Sequence, residues 1–488
     1  MSFTSIEFLF LFIPLILSGY YLIRGNLRNV FLLIVSLIFY SIGEPKMIMF
    51  LLTTITVNYC LGLILGLKWQ KANWKKFFMV IMLCWNIGSL FYYKYLSTIL
   101  ESFKLLFSNN WIIPQIIMPL GISFFTFRSV SYCMDVYWET QPVQKNFIKV
   151  ALYISFFSQV TMGPITKYAD FASQFENRRF NIDLFGDGAK RVIIGLFKKL
   201  VLSNTIGTMV DVAFGMGNDE RTMIFAWMGI WGYLIQLYFD FSGYSDMAIG
   251  FGKMLGFYTP ENFDYPYMSK GIVEFWNRWH ITLGAWLKDY LYMPIFRAAQ
   301  AKKISIQKCN ILALFVVWLV VGIWHGAGLK FVVYGMYYFV FIILERTIDD
   351  YKKKKRKKLK LKKQPDTKLQ LFGKYLYFAV VIVFGQLMFR SDNLISYIQY
   401  IGSMFGQTGN RFFNTETLFY WKSYSVNLLV GTLFCFPLVK KLKSVFEKND
   451  ITNKIVTAIS PILYVIIAVI GVSYAFTSTY QSFIYFQF

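Results

Sequence analysis

A chain of 488 residues carrying 50 Lys+Arg against 26 Asp+Glu has a formal charge of +24, yet only 16% of its residues are charged. Apolar types make up 56% and aromatics 20%, whereas charged residues alone approach about 25% of a soluble domain. This balance excludes a soluble globular enzyme, a disordered tail and a nucleic-acid binder with a basic polar face, and leaves an all-α polytopic protein embedded in a lipid bilayer.

A hydrocarbon core of about 30 Å takes about 20 apolar residues of helix. The first candidate span, Phe8–Ile23, has no basic n-region and no small-residue cleavage site, so it reads as a span and not a signal peptide. Val30–Gly43, Met47–Gly66 and Phe77–Tyr93 follow, then a Pro/Gly-interrupted stretch from Ile116 to Tyr132, Phe147–Gly163, and a broken segment at Val192–Ala213. Thr222–Phe251, Cys309–Gly328, Phe331–Leu344, Tyr375–Phe389, Tyr424–Val439 and Ile455–Phe476 bring the total to between eleven and thirteen elements. Lipid does not tolerate exposed non-helical backbone, so the broken elements are expected to line a protein-enclosed cavity.

Orientation follows from the basic residues. Arg24 and Arg28, then Lys68, Lys71, Lys75 and Lys76, mark cytoplasmic connections, whereas Glu44–Lys46 is not basic, which predicts an outside N-terminus. The polybasic run Tyr351–Lys363 is a second marker and Lys440, Lys441 and Lys443 a third; counting from either predicts an outside C-terminus. Between Ile116 and Ala213 no single topology emerges, because Lys198-Lys199 interrupts the last segment. The polybasic run reads as a solvated loop that attracts anionic lipid, in preference to a docking patch for an acidic partner. The whole of 1–488 reads as one integral-membrane domain, with a core at about 110–345, a cytoplasmic loop at 351–363 and C-terminal helices over 375–476.

Chemistry has few places to reside. The five cysteines are scattered without CxxC spacing, and two histidines exclude any multi-His metal site. His325 closes an apolar run and is followed by Gly326 and Gly328, which leave room for a close approach to its ring. An ionisable side chain at mid-bilayer costs about 2.5–3.5 kcal/mol, so His325 is a functional candidate, and imidazole suits general-base work on a hydroxyl. His280 lies in Gly271–Pro294, where helical spacing puts Trp276, Trp279, Leu283, Trp286 and Leu287 on one face. For His280 two readings stand: an interfacial residue of a surface-lying helix, or part of a cofactor-site mouth. In Tyr238–Asp246, Asp240 and Asp246 either orient a histidine or hold helices together. Gly250–Gly256 reads as helix-packing glycine, since no strand precedes it as a phosphate loop requires; no nucleophile elbow, Walker or Rossmann motif is present.

Several blocks in order carry a resemblance: Met118–Phe127, Met162–Ile165, Tyr238–Asp246, Asn262–Tyr267, Phe275–His280 through Asp289–Pro294, Trp324–Gly326, Met388–Arg390 and the terminal Phe483–Phe488. In these the chain resembles the membrane-bound O-acyltransferase superfamily, in its bacterial alginate O-acetyltransferase branch. The resemblance implies a ring of tilted and broken helices around a tunnel, with His325 at the hallmark catalytic position and His280 at the second. It implies a cytoplasmic acetyl-CoA donor, no permanently bound cofactor, an extracytoplasmic SGNH-type acetyltransferase partner and a polysaccharide acceptor.

On this reading His325 is general base, with Asp240, Asp246, Trp324 and Asn277 in support. Trp276, Trp279 and Trp286 wall the cytoplasmic entrance, and Arg278 or Lys288 meets donor phosphates. D-alanyl transfer to teichoic acid is the alternative within the family. A transporter is the alternative outside it, against which stands the lack of echoing sequence halves.

Overall fold

The computed structural model describes residues 2–69, 72–107, 112–176, 178, 181–362, 364–478 and 480. Lys71 and Lys363, expected as cytoplasmic markers, and the terminal block Phe483–Phe488 lie outside the described residues. In chain order the helices are α1 (Ile13–Leu22), α2 (Leu27–Gly43), α3 (Ile48–Leu65), α4 (Ala72–Leu106), α5 (Ile122–Tyr137), α6 (Phe147–Ser155) and α7 (Tyr168–Ala172). Then come α8 (Ile182–Phe197), α9 (Thr205–Gly215), α10 (Met223–Met254), α11 (Ile272–Arg278), α12 (Ile281–Leu287), α13 (Met293–Ala301) and α14 (Ile306–His325). The chain continues through α15 (Leu329–Lys358), α16 (Lys368–Arg390), α17 (Leu394–Met404), α18 (Thr415–Phe434), α19 (Leu438–Phe446) and α20 (Asp450–Thr477). No strand forms among the described residues; one isolated antiparallel bridge joins Phe263 to Trp279.

Among the described residues, seven helical stretches are long and apolar enough to cross a membrane, and α18 with α19, bent by 60°, makes an eighth. This is fewer than the hydropathy of the sequence suggests. Phe8–Leu22 and Leu27–Gly43 are apolar but shorter than the seven, and α10 is not among them. Helix α10 is buried along almost its entire length, so its polar side chains face protein.

The middle of the chain resolves into two features that the sequence left open. Lys198–Asn204 is a π-helical turn that joins α8 to α9 without interrupting the apolar stretch Ile182–Gly215. Its two lysines point at α10, where Lys198 pairs with Asp246 and Lys199 with Asp240. The non-helical stretch after α6 is buried throughout residues 156–166, where lipid cannot reach it. The polybasic run is also reorganised: α15 continues helical through Lys358, so most of the run is an exposed helix end and not a loop.

Backbone contact between α8 and α10 explains the glycines of the core. A Cβ on Gly195 would meet the Gly243 carbonyl at 2.5 Å, and one on Gly188 the Gly250 carbonyl at 2.7 Å. The two antiparallel helices therefore touch through Gly188–Gly250 and Gly195–Gly243, the close approach that small residues permit inside membranes. Gly250 thus packs a helix, as its sequence context suggests.

A buried histidine pair held by Asn262 and the last turn of α14

The continuous helix expected around His280 does not form. Trp279 is extended and His280 has φ +46°, so α11 stops and α12 starts in a new direction. The break is held by segment 262–264: Asp264 N–H donates to the Arg278 carbonyl and Ile281 N–H to the Asn262 carbonyl, each at 3.0 Å. A left-handed non-glycine residue costs about 1 kcal/mol or more, and its persistence here points to a positioning function. The turn buries His280 to 4% exposure, which removes the surface-helix reading.

Asn262 does more than pair backbone. Its Oδ1 lies 3.0 Å from His280 Nδ1, accepts the Thr282 hydroxyl at 2.8 Å and accepts the Thr282 backbone N–H at 3.3 Å. Its amide nitrogen donates to Ser245 on α10 at 3.1 Å. A backbone N–H can only donate, so this oxygen is an acceptor and His280 must carry its proton on Nδ1. The lone pair is then on Nε2, a buried atom that no described protein group hydrogen-bonds. Burial drives the His280 pKa down to about 3, so near neutral pH the ring is neutral, with its lone pair on Nε2.

His325 ends α14 at 6% exposure. Its ring meets Phe389 edge-on at 5.0 Å and Tyr334 edge-on at 5.7 Å, and lies 4.7 Å from that of Trp324. The last carbonyls of α14 are gripped by α4: Lys94 donates to Trp324 O, and Tyr95 donates to Ile323 O at 2.8 Å. Both Lys94 and His280 lie within electrostatic reach of the His325 ring. The two histidines therefore belong to one interior region. Gly326 serves a different purpose from the one expected: the space of its missing Cβ is filled by the Phe331 ring, 2.3 Å from that position.

The other expected site residues separate into those near this region and those elsewhere. Trp276 packs at 4.9 Å on both Trp318 and Tyr338, and Tyr338 reaches Tyr334 beside His325. Trp286 donates to the Phe127 carbonyl at 3.0 Å, and the Phe127 ring reaches that of Trp324 at 5.9 Å. The indole nitrogens of Trp276 and Trp324, like His280 Nε2, are buried without a described protein partner. Buried polar groups are almost always hydrogen-bonded, so these three atoms keep hydrogen-bonding capacity that the described protein does not use.

Trp279, by contrast, is a core residue at 3% exposure, stacked on Phe275 and edge-on to Phe263. Arg278 is already matched by Glu274 and Asp264, so a donor phosphate would have to displace carboxylates there. Asn277 and Lys288 are exposed. Asp240 and Asp246 are charge-balanced by Lys199 and by Lys198 with Arg191, which makes them ties between α8–α9 and α10.

Asn262, Thr282 and Lys94 are contributors that sequence reasoning did not single out. Lys94 had a signal, a lone cation directly after the apolar run Phe77–Tyr93. Asn262 had none beyond its place in a motif block.

Comparison with known proteins identifies the family. Residues 140–356 match the model of the membrane-bound O-acyltransferase family. The probable alginate O-acetylase AlgI of Pseudomonas putida is 34% identical over 414 residues, 83% of this chain and 80% of the relative. The peptidoglycan O-acetyltransferase of Helicobacter pylori is 32% identical over 371 residues, 70% and 69% of the two chains. The teichoic acid D-alanyltransferase of Bacillus subtilis is 29% identical over 245 residues, 49% of this chain and 62% of the relative. An all-helical membrane fold, a buried histidine pair and relatives of this extent lead to one assignment: the chain belongs to the membrane-bound O-acyltransferase family and is a multi-pass O-acyltransferase.

Proposed function

We propose that the protein transfers an acetyl group from cytoplasmic acetyl-CoA, through its interior, toward O-acetylation of a polysaccharide outside the cell membrane, with both termini outside. The observation that carries this reading is that two buried histidines lie within electrostatic reach of each other, one of them fixed as the tautomer with its lone pair on Nε2. The relatives favour acetyl over D-alanyl transfer, because the acetyltransferases align over 70–83% of this chain and the Bacillus subtilis D-alanyltransferase over 49%. An extracytoplasmic SGNH-type partner then places the group on the polysaccharide.

In the chemical step the acceptor hydroxyl gives its proton to an imidazole nitrogen while its oxygen attacks the thioester carbon. The C–O bond forms, the C–S bond breaks, and the thiolate leaves to be protonated. His325 is the base on the acceptor. The one proton it takes passes to the leaving thiolate, and His280, neutral by burial with its lone pair on Nε2, accepts a hydrogen bond in the same region.

The test is acetyl transfer from labelled acetyl-CoA by purified protein in lipid nanodiscs. His325→Ala is expected to lose about 10²–10⁴-fold in rate while remaining folded. Unchanged release of free thiol together with unchanged transfer in that variant would overturn the general-base assignment.

A further inference from the structure

Away from both histidines, a cavity of about 330 Å³ opens where the end of α10 meets the start of α8. Arg178 and Lys253 line it beside Phe257 and Tyr258. A smaller hollow adjoins it, sharing Leu184, Lys253 and Gly256, and adds Arg28 and Tyr20. Three cations thus line two adjacent hollows, and no carboxylate lines either among the described residues.

The cations are incompletely matched by protein. Arg178 spans the Phe257 ring at 4.3 Å, donates one N–H to Asn29 at 2.5 Å and has Tyr20 as a further side-chain neighbour, while its buried Nε and Nη1 make no well-formed hydrogen bond to described protein groups. Arg28 donates to the Ile23 carbonyl at 2.8 Å and sits over Tyr20 at 5.0 Å. Arg28 lies within electrostatic reach of Arg178, so the two repel unless an anion lies between them. Lys253 has no ion-pair partner among the described residues. A buried guanidinium with unused N–H groups is costly, and a phosphate is the anion whose geometry uses that fork.

The rim identifies the source of that phosphate. Tyr258, at 68% exposure, lines the cavity, and Leu22 at 82%, Leu27 at 66% and Ile182 at 66% are the chain neighbours of Tyr21, Arg28 and Asn181, which line the smaller hollow. Such exposed apolar residues beside cations match an amphipathic molecule at the membrane interface, with tyrosine at headgroup level. We propose that this cavity is a binding site for the phosphate headgroup of an anionic phospholipid, with its acyl chains lying over Leu22, Leu27 and Ile182.

The test uses the full chain in detergent, with retention of added phosphatidylglycerol followed by native mass spectrometry. Wild-type protein is expected to retain phosphatidylglycerol in preference to phosphatidylcholine. Lys253→Gln is expected to weaken retention about fivefold and Lys253→Gln with Arg178→Gln more. Lys253→Gln is the safeguard against misfolding, since it breaks no described ion pair. Equal retention of the two lipids, or retention unchanged by Lys253→Gln and by the double variant, would overturn the proposal. So would displacement of phosphatidylglycerol by coenzyme A at equal concentration, which would assign the cations to a soluble nucleotide.

Discussion

Asn262 and His280 are joined at 3.0 Å across a break between two short helices, and the same Asn262 oxygen receives both the hydroxyl and the backbone N–H of Thr282. The arrangement fixes which imidazole nitrogen is basic. Asn262→Leu removes the acceptor while keeping the volume, so Nδ1 loses its partner and the tautomer is no longer selected. We expect the rate at saturating donor to fall by about 10²-fold or more, with a smaller change in the KM for donor. Asn262→Asp keeps an acceptor but adds a negative charge, which favours imidazolium; its acid-side loss of activity should move to higher pH. An Asn262→Leu enzyme with wild-type turnover would remove the positioning role.

Asp240 and Lys199 test the distinction between tie and catalyst. Both are almost fully buried, at 2% and 1% exposure. Breaking such a pair from one side leaves an uncompensated charge and costs about 3–5 kcal/mol, whereas removing both charges is far milder. Asp240→Asn alone should therefore lower the yield of monodisperse protein, and Lys199→Met with Asp240→Asn should restore both yield and acetyl transfer. A well-folded but inactive double variant would return Asp240 to the reaction.

This pair also shows where the sequence is readable. The density of apolar and aromatic residues is enough to place most helices, because burial in lipid demands it of every span. Lys198 and Lys199 look like an interruption only because hydropathy counts charges one helix at a time; Asp246 and Asp240, less than two turns apart on α10, cancel them. His325 is legible because an isolated imidazole in an apolar run is expensive. The site around His280 is less so. Its helical spacing is consistent with one helix, and only the pairing of 262–264 with 278–281, sixteen or so residues apart, breaks it. Arg278 and Trp279 are misread for the same reason: a long-range partner, Asp264 or Phe263, decides what each one faces.

Lys94 gives a prediction that concerns geometry more than protons. Together with Tyr95 it fixes the final carbonyls of α14, one residue and two residues before His325. Hydrogen bonds from a charged donor contribute about 1.5–3 kcal/mol, and neutral ones about 1. Lys94→Met is expected to lower the melting temperature in detergent and to reduce acetyl transfer, with Tyr95→Phe milder in both. If Lys94→Met left thermal stability and activity unchanged, the clamp on α14 would have no mechanical role.

Burial of His280 makes a pH dependence of stability with a definite sign. Its folded pKa is about 3 against about 6.5 when unfolded, so between these values the unfolded chain binds more protons. Stability must then rise with pH through that window and fall as pH drops from about 6.5 toward 3, by at most about 1.4 kcal/mol per unit from this one group. Above about 6.5 both states are neutral at this residue and its contribution is flat. Comparing melting in detergent at pH 7.5 and pH 5, wild-type protein should lose more than His280→Gln, since glutamine keeps a donor toward Asn262 without a titrating nitrogen. The difference isolates His280, because the carboxylates that also titrate on the acid side are common to both proteins. Parallel losses in the two would mean that His280 is protonated as readily in the folded state as in the unfolded one. The neutral ring with its lone pair on Nε2 would then have no thermodynamic support.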